Sequence, residues 1–125
     1  YIGMEDQKLK WNVKGAAKPR VDIFPLTDNP YPLPVIGDNV WHHIVVTYDR
    51  DGMAKFYIDG VYYPDADKDI AGVGSIDTTL GLNIGQDGTG EYPYGLTALL
   101  DEMKIFNKVL DYAEIQAMYE AYFGG

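Results

Sequence analysis

The stretch "WHHIVVTYDRDGMAKFYIDG", Trp41 to Gly60, constrains the fold more tightly than any other part of the sequence. In "HIVVTY" the residues His42, Ile44, Val46 and Tyr48 share one face, with His43, Val45 and Thr47 on the other. Period two with β-branched enrichment specifies a strand. "MAKFYID" alternates in the same way, Ala54, Phe56 and Ile58 against Lys55, Tyr57 and Asp59. Between the two runs lies Asp49-Arg50-Asp51-Gly52, where Asp51-Gly52 is expected to supply the positive φ of a tight connection. A second turn signal, Asp59-Gly60, closes the stretch. Two antiparallel neighbours are the implied result.

Further strands are expected at 1–4 ("YIGM"), 8–13 ("KLKWNV"), 20–26 ("RVDIFPL"), 79–85 ("TLGLNIG") and 98–106 ("ALLDEMKIF"). Turn-rich loops separate them: "DNPYPLP" at 28–34, the acidic "PDADKDIAG" at 64–72 and "GQDGTGEYPYG" at 85–95. Strands at this spacing, punctuated by glycine and proline, indicate a sandwich. One helix closes the chain. "DYAEIQAMYEAYF" sets Ile115, Met118, Tyr119 and Tyr122 on one face, and Asp111 followed by Glu114 reads as an acidic capping box.

With 125 residues the chain makes a single domain, 1–125, large enough to bury a core. Its net charge of −9 argues against nucleic acid, whose phosphates reward lysine and arginine. No apolar run reaches the roughly 20 residues of a membrane helix, so membrane insertion is not expected. There is no cysteine, which removes disulfides, thiolate metal sites and cysteine nucleophiles together.

"VWHHIVVTYDRDGMAKFYIDGVYY", then "LGLNIG", then "LLDEMKIFNKVLDYAEIQAMYE" resembles the laminin-G-like branch of the concanavalin A-like lectin/glucanase superfamily, over about residues 40–122. That resemblance implies an all-β fold, an antiparallel β-sandwich of jelly-roll type with one short C-terminal helix. Such domains open with a strand reading like S-I-S-A-W-V, which has no counterpart here. The resemblance therefore implies the C-terminal two-thirds of a full domain, with the sandwich completed by a second chain or by a missing N-terminal segment; a shorter variant that covers its edges differently is the alternative.

Asp101-Glu102 is the most informative acidic pair. On a strand Asp101 shares the face of Leu99, Met103 and Ile105 and points into the core. A buried carboxylate needs hydrogen bonds or a cation. In laminin-G-like relatives a structural calcium lies near this position, so Asp101 is a candidate metal ligand; backbone amides are the other possible partners. Asp65, Asp67 and Asp69 alternate like the start of a calcium loop, but Ile70 and Ile76 stand where an EF-hand needs glycine and glutamate. His42 and His43, on opposite faces of a strand, are packing and hydrogen-bonding residues, not a shared metal site. A glucanase would need two facing carboxylates, and side-by-side Asp101 and Glu102 do not fit that work.

The loop aromatics remain. Tyr31, Tyr62, Tyr63, Tyr92 and Tyr94 lie in or beside loops, close to Asp65, Gln86, Asp87 and Glu91. A tyrosine face suits stacking on a sugar, with carboxylates taking its hydroxyls. Tyr92, Tyr94, Tyr62, Tyr63, Asp87 and Glu91 are the expected ligand-binding residues. The expected function is a non-catalytic, secreted or cell-surface carbohydrate-binding module of a larger bacterial polysaccharide-active or surface protein. A structural or adhesion module binding another protein is the alternative.

Overall fold

A computed structural model describes residues 1–17, 19–25, 28, 30–79, 81–84, 91 and 96–124. Three strands, β1 (Ile2–Glu5), β2 (Lys8–Val13) and β3 (Val21–Ile23), form an antiparallel sheet in the order β1-β2-β3. The second sheet holds β4 (Ile44–Tyr48), β5 (Met53–Ile58) and β6 (Val61–Tyr62), with β7 (Lys68–Asp69) also paired to β5. A 3₁₀ turn at Pro64–Ala66 links β6 to β7, and helix α1 spans Tyr112–Phe123. The expected all-β sandwich with one C-terminal helix is the observed architecture.

Alternation dictates what each sheet buries. Leu9, Trp11 and Ile23 of the first sheet meet Ala54, Phe56 and Ile58 of β5 in the main core. Trp11 sits at its centre, fully buried, edge-on to Phe56 at 5.3 Å between ring centroids. Its indole N–H donates to the Tyr48 hydroxyl at 2.7 Å, so its polar atom is satisfied across the two sheets. The opposite face of β5 is covered as well: Tyr57 packs with Leu110 and Ile115 in a smaller cluster. Of the expected apolar helix face, Ile115 is fully buried, Met118 and Tyr119 are half-buried, and Tyr122 stays exposed.

The hairpin pairs in the expected register, Val46 opposite Phe56 and Tyr48 opposite Ala54. Its turn differs from the sequence expectation. Gly52 does not adopt positive φ; the connection closes through Gly52 N–H donating to Asp49 O and Asp49 N–H to Met53 O. Positive φ falls at the β5–β6 turn instead, with Asp59 at 53° and Gly60 at 75°. Two adjacent left-handed residues match the twist of a two-residue hairpin, and this one sets Tyr57 directly opposite Tyr62.

A larger correction concerns 79–85 and 98–106. Among the described residues, 81–84 and 96–109 form no strand. Residues 96–109 make no backbone–backbone hydrogen bond to another described segment, and Glu102 adopts φ 50°, which breaks the alternation. Asp101 is consequently exposed rather than turned into the core, and its Oδ1 accepts the Glu102 N–H at 2.8 Å. A strand-forming pattern needs a neighbour to pair with, and among the described residues the pattern has none.

The core geometry predicts a large penalty for losing its centre. Trp11→Ala should cost about 3–5 kcal/mol. Tyr48→Phe, which leaves the indole N–H without its acceptor, should cost about 1–3 kcal/mol. Urea unfolding followed by circular dichroism measures both, and the order Trp11→Ala worse than Tyr48→Phe is expected.

Candidate ligand groove

The side of β4–β6 facing away from Trp11 carries a groove of about 730 Å³. Its floor and one wall come from alternate residues of β4 and β5, Thr47, Lys55 and Tyr57, with Tyr62 of β6; its other wall is the approach to α1, Val109 to Tyr112. Tyr57 is the floor, buried and stacked on both neighbours. Its ring lies 5.1 Å from that of Tyr62 at 27° and 6.2 Å from that of Tyr112 at 28°. Tyr112 and Val61 are open to solvent on the rim.

Each aromatic is held by local chemistry. Tyr62 is fixed by register to Tyr57, and its hydroxyl donates to the Asp67 carboxylate. Burial, then the Asp67 carboxylate, push the Tyr62 phenol up to about 12, so it stays neutral at physiological pH. The Lys55 ammonium lies 5.6 Å from the centre of the same ring, a cation–π contact. Tyr112 is the first residue of α1, so the helix cap positions it. Asp111 accepts the Glu114 N–H at 2.9 Å while Glu114 accepts the Asp111 N–H at 3.0 Å, the expected capping box. The groove's two carboxylates are thereby committed locally, Asp111 to this cap and Asp49 to the Asp51 N–H of the hairpin turn.

The expected ligand residues separate into three groups. Tyr62 lies in the groove. Tyr63, its sequence neighbour, turns the other way and packs half-buried against the main core, as does Tyr31, whose hydroxyl donates to the Leu9 carbonyl. Glu91 is exposed and lines no part of the groove. Tyr92, Tyr94 and Asp87 lie outside the described residues. Sequence reasoning passed over Tyr57, Tyr112 and Lys55. The two-residue turn Asp59-Gly60 carried the signal for Tyr57, since it places that residue beside Tyr62.

No group of three histidine, aspartate or glutamate side chains that could hold a metal ion occurs among the described residues. Asp101, exposed, belongs to no such group of described side chains.

His42 and His43 behave as packing and hydrogen-bonding residues. The His42 ring bridges two carboxylates, Nδ1 to Asp59 at 2.7 Å and Nε2 to Asp38 at 2.9 Å. The same Asp59 accepts the His43 N–H at 2.9 Å, so this left-handed turn residue ties the start of β4 to the end of β5. Burial alone would lower the His42 pKa, but the hydrogen bonds and charges of Asp59 and Asp38 outweigh it and raise it. The His43 ring, packed on Tyr119 at 6.1 Å, has its pKa lowered by burial, which exceeds the opposing effect of Asp59.

Comparison with known proteins bears on the fold and the family. A laminin G family model, described as concanavalin A-like lectin/glucanases superfamily, matches residues 2–116. The chain belongs to that family. It is 24% identical over 82 residues, 66% of its length, to the adhesion G-protein coupled receptor V1 of Danio rerio, of which it spans 1%. A crystal structure of an S-layer domain-containing protein (residues 221–444) from Clostridium thermocellum matches 90% of this chain and 51% of its own, at 21% identity and a TM-score of 0.53. The chain thus spans about half of that solved chain.

The opposite shifts of the two histidines give a signed prediction. His42, with a raised folded pKa, contributes stability that is present below its unfolded value of about 6.5 and lost as pH rises through the folded value. His43, with a lowered folded pKa, makes the fold less stable as pH falls below about 6.5, where the unfolded chain takes the proton. In His43→Gln, stability should decline from about pH 6 to 8; in His42→Gln it should decline from about pH 7 to 5.5. Urea midpoints across that range read both slopes. Identical profiles for the two variants would contradict the assignment.

Proposed function

We propose that this chain is a non-catalytic, extracellular carbohydrate-binding module of a larger bacterial polysaccharide-active or surface protein, and that the tyrosine groove is its sugar site. One observation carries the reading. Three tyrosines, at 5.1 and 6.2 Å and within 28° of parallel, form a stepped aromatic wall with a solvent-open rim at Tyr112. Sugar rings stack on such faces through their C–H surfaces while hydroxyls reach polar neighbours; here the Lys55 ammonium can donate and the Tyr62 hydroxyl oxygen can accept. The groove acids serve a turn and a cap rather than facing each other, which supports binding over glycoside hydrolysis. An extracellular setting is supported by the names of the similar proteins, an adhesion receptor and an S-layer domain-containing protein. No described helix is long and apolar enough to cross a membrane.

A second reading, an adhesion module with a protein ligand, is favoured by a different feature. Leu99, Leu100, Met103, Ile105 and Phe106 form an exposed apolar run outside the groove.

Affinity electrophoresis against neutral polysaccharides tests the first reading. Retention on at least one is expected, weakened about tenfold by Tyr112→Ala or Tyr62→Ala, the loss of a contact worth ~1.4 kcal/mol. Tyr63→Ala should leave retention unchanged in the folded fraction. The Tyr92→Ala/Tyr94→Ala double variant asks whether the 85–95 loop adds to the site. Silence on every polysaccharide, or retention indifferent to Tyr62 and Tyr112, would overturn the groove assignment.

A further inference from the structure

We infer that His43 is a proton-operated latch for helix α1. Neutral, it seats the helix and keeps Tyr112 in the groove; protonated, it releases that wall while the Tyr57–Tyr62 pair stays. The release of the helix stands by itself, and only its effect on a ligand rests on the sugar-site reading. The helix has a small footing: of its residues, Ile115 alone is fully buried. Its other attachments gather at the Asp59-Gly60 turn. The Gln116 amide nitrogen donates to the Gly60 carbonyl and, at 2.9 Å, to the Tyr112 hydroxyl, so one side chain ties the turn to the groove wall. The Tyr119 ring lies against Gly60, where an added Cβ would come within 2.9 Å of its Cδ1, and against the His43 ring at 6.1 Å. Tyr112, Gln116 and Tyr119 follow at i, i+4 and i+7, one stripe of the helix. A displacement at His43 is therefore carried along that stripe to Tyr112.

His43 is aimed at the helix by a fixed backbone. Its N–H donates to Asp59 Oδ1 at 2.9 Å, and its carbonyl accepts the Asp59 N–H at 2.8 Å. The ring Nδ1 is buried and has no hydrogen-bond partner among the described residues. With the proton on Nε2, Nδ1 is a bare lone pair; once protonated it becomes a buried N–H on a cation with no acceptor, which is costly. The surrounding groups do not repair this. Asp59, on the turn, attracts the charge, but its Oδ2 is bonded to the His42 ring at 2.7 Å and its Oδ1 to the His43 N–H. Lys104 repels it, with Glu102 at 3.2 Å offsetting part of that lysine's charge. From α1 comes the Tyr119 ring, whose centroid at 6.1 Å lies at the limit of cation–π range. Burial outweighs Asp59, so His43 takes its proton below the ordinary value of about 6.5.

The neighbouring histidine acts in the opposite sense. His42 bridges Asp59 and Asp38, which raise its pKa, so acid strengthens the anchor of the turn. Falling pH therefore charges His42 first and His43 second. The turn that sets Tyr62 beside Tyr57 is held more firmly before the helix is loosened. Local opening of this kind is expected where a helix is attached through few buried contacts. The linkage has a definite sign. The neutral ring belongs to the docked helix, so His43 leaves docking unchanged above about pH 6.5 and weakens it below, by at most about tenfold per pH unit for one proton.

Two-dimensional NMR of the full chain without ligand, from about pH 8 to 5, reads the latch directly. The amides of 112–123 and the Tyr112 ring protons should shift together, with one midpoint below about 6.5 that coincides with that of the His43 ring. The amides of β2 and β5 should show no such midpoint. His43→Gln should abolish the transition, and His43→Lys, a fixed cation, should hold the helix signals at their acid positions at about pH 8. Helix signals that ignore pH, that titrate unchanged in His43→Gln, or that move only as both sheets unfold would overturn the inference. For the polysaccharide retained most strongly, retention should weaken at least about threefold between pH 7.5 and 5, and stay constant in His43→Gln. Equal weakening in both proteins would overturn the link to the groove. Silence on every polysaccharide would count against the sugar reading alone, since the ligand-free titration decides the latch.

Discussion

Everything in this molecule depends on one side chain from the first sheet reaching the second. Trp11 is fully buried between β2 and β5, edge-on to Phe56, with its single polar atom bonded to Tyr48 of β4. The contact joins segments 37 residues apart, and it does so with no buried donor left over. A short sandwich has few layers to distribute its burial among. Losing one large aromatic removes dispersion contacts that the small neighbouring Ala54 cannot replace. The orientation of β5 is fixed by this contact on one face, and that decides what its other face can carry.

The groove is built on that other face. Phe56 pointing into the core obliges Lys55 and Tyr57 to point out of it, and the left-handed pair Asp59-Gly60 returns the chain so that Tyr62 stands beside Tyr57. Helix α1 then adds Tyr112 from a remote part of the sequence, held in place by its cap and by Ile115 in the smaller cluster. The Gln116 amide donates to the Gly60 carbonyl, so helix and turn are joined directly at the end of the groove. Turn, cap and aromatic wall form one mechanical unit on a rigid sheet, and a binding surface benefits from such preorganisation.

What could be read in the sequence was whatever is local in cause. Alternation located β2, β4 and β5, and Asp111 with Glu114 marked the helix start, because side-chain period and cap chemistry act within a few residues. The positive φ was assigned to Asp51-Gly52 although it belongs to Asp59-Gly60; both are Asp-Gly pairs, and loop length decides which turn needs it. Alternation at 98–106 pointed to a strand that the described residues do not form, and Asp101 lost its expected core position with it. Tyr62 was legible as a loop-edge aromatic. Tyr63 was not distinguishable from it, since only the register of β6 determines which of the two neighbours faces outward. Tyr112 was beyond sequence reasoning altogether, for its place beside Tyr57 depends on where α1 docks. Tyr92, Tyr94 and Asp87 fall outside the described residues.

The central claim is that ligand meets this chain on the tyrosine wall of β5, β6 and the start of α1. Mapping amide chemical-shift changes while titrating the polysaccharide retained most strongly addresses that claim without altering any residue. The account predicts a contiguous set of shifted amides at 55–62 and 109–112, with those of β1–β3 unmoved. Shifts confined to residues 85–95, or to the exposed run at 99–106, would contradict it.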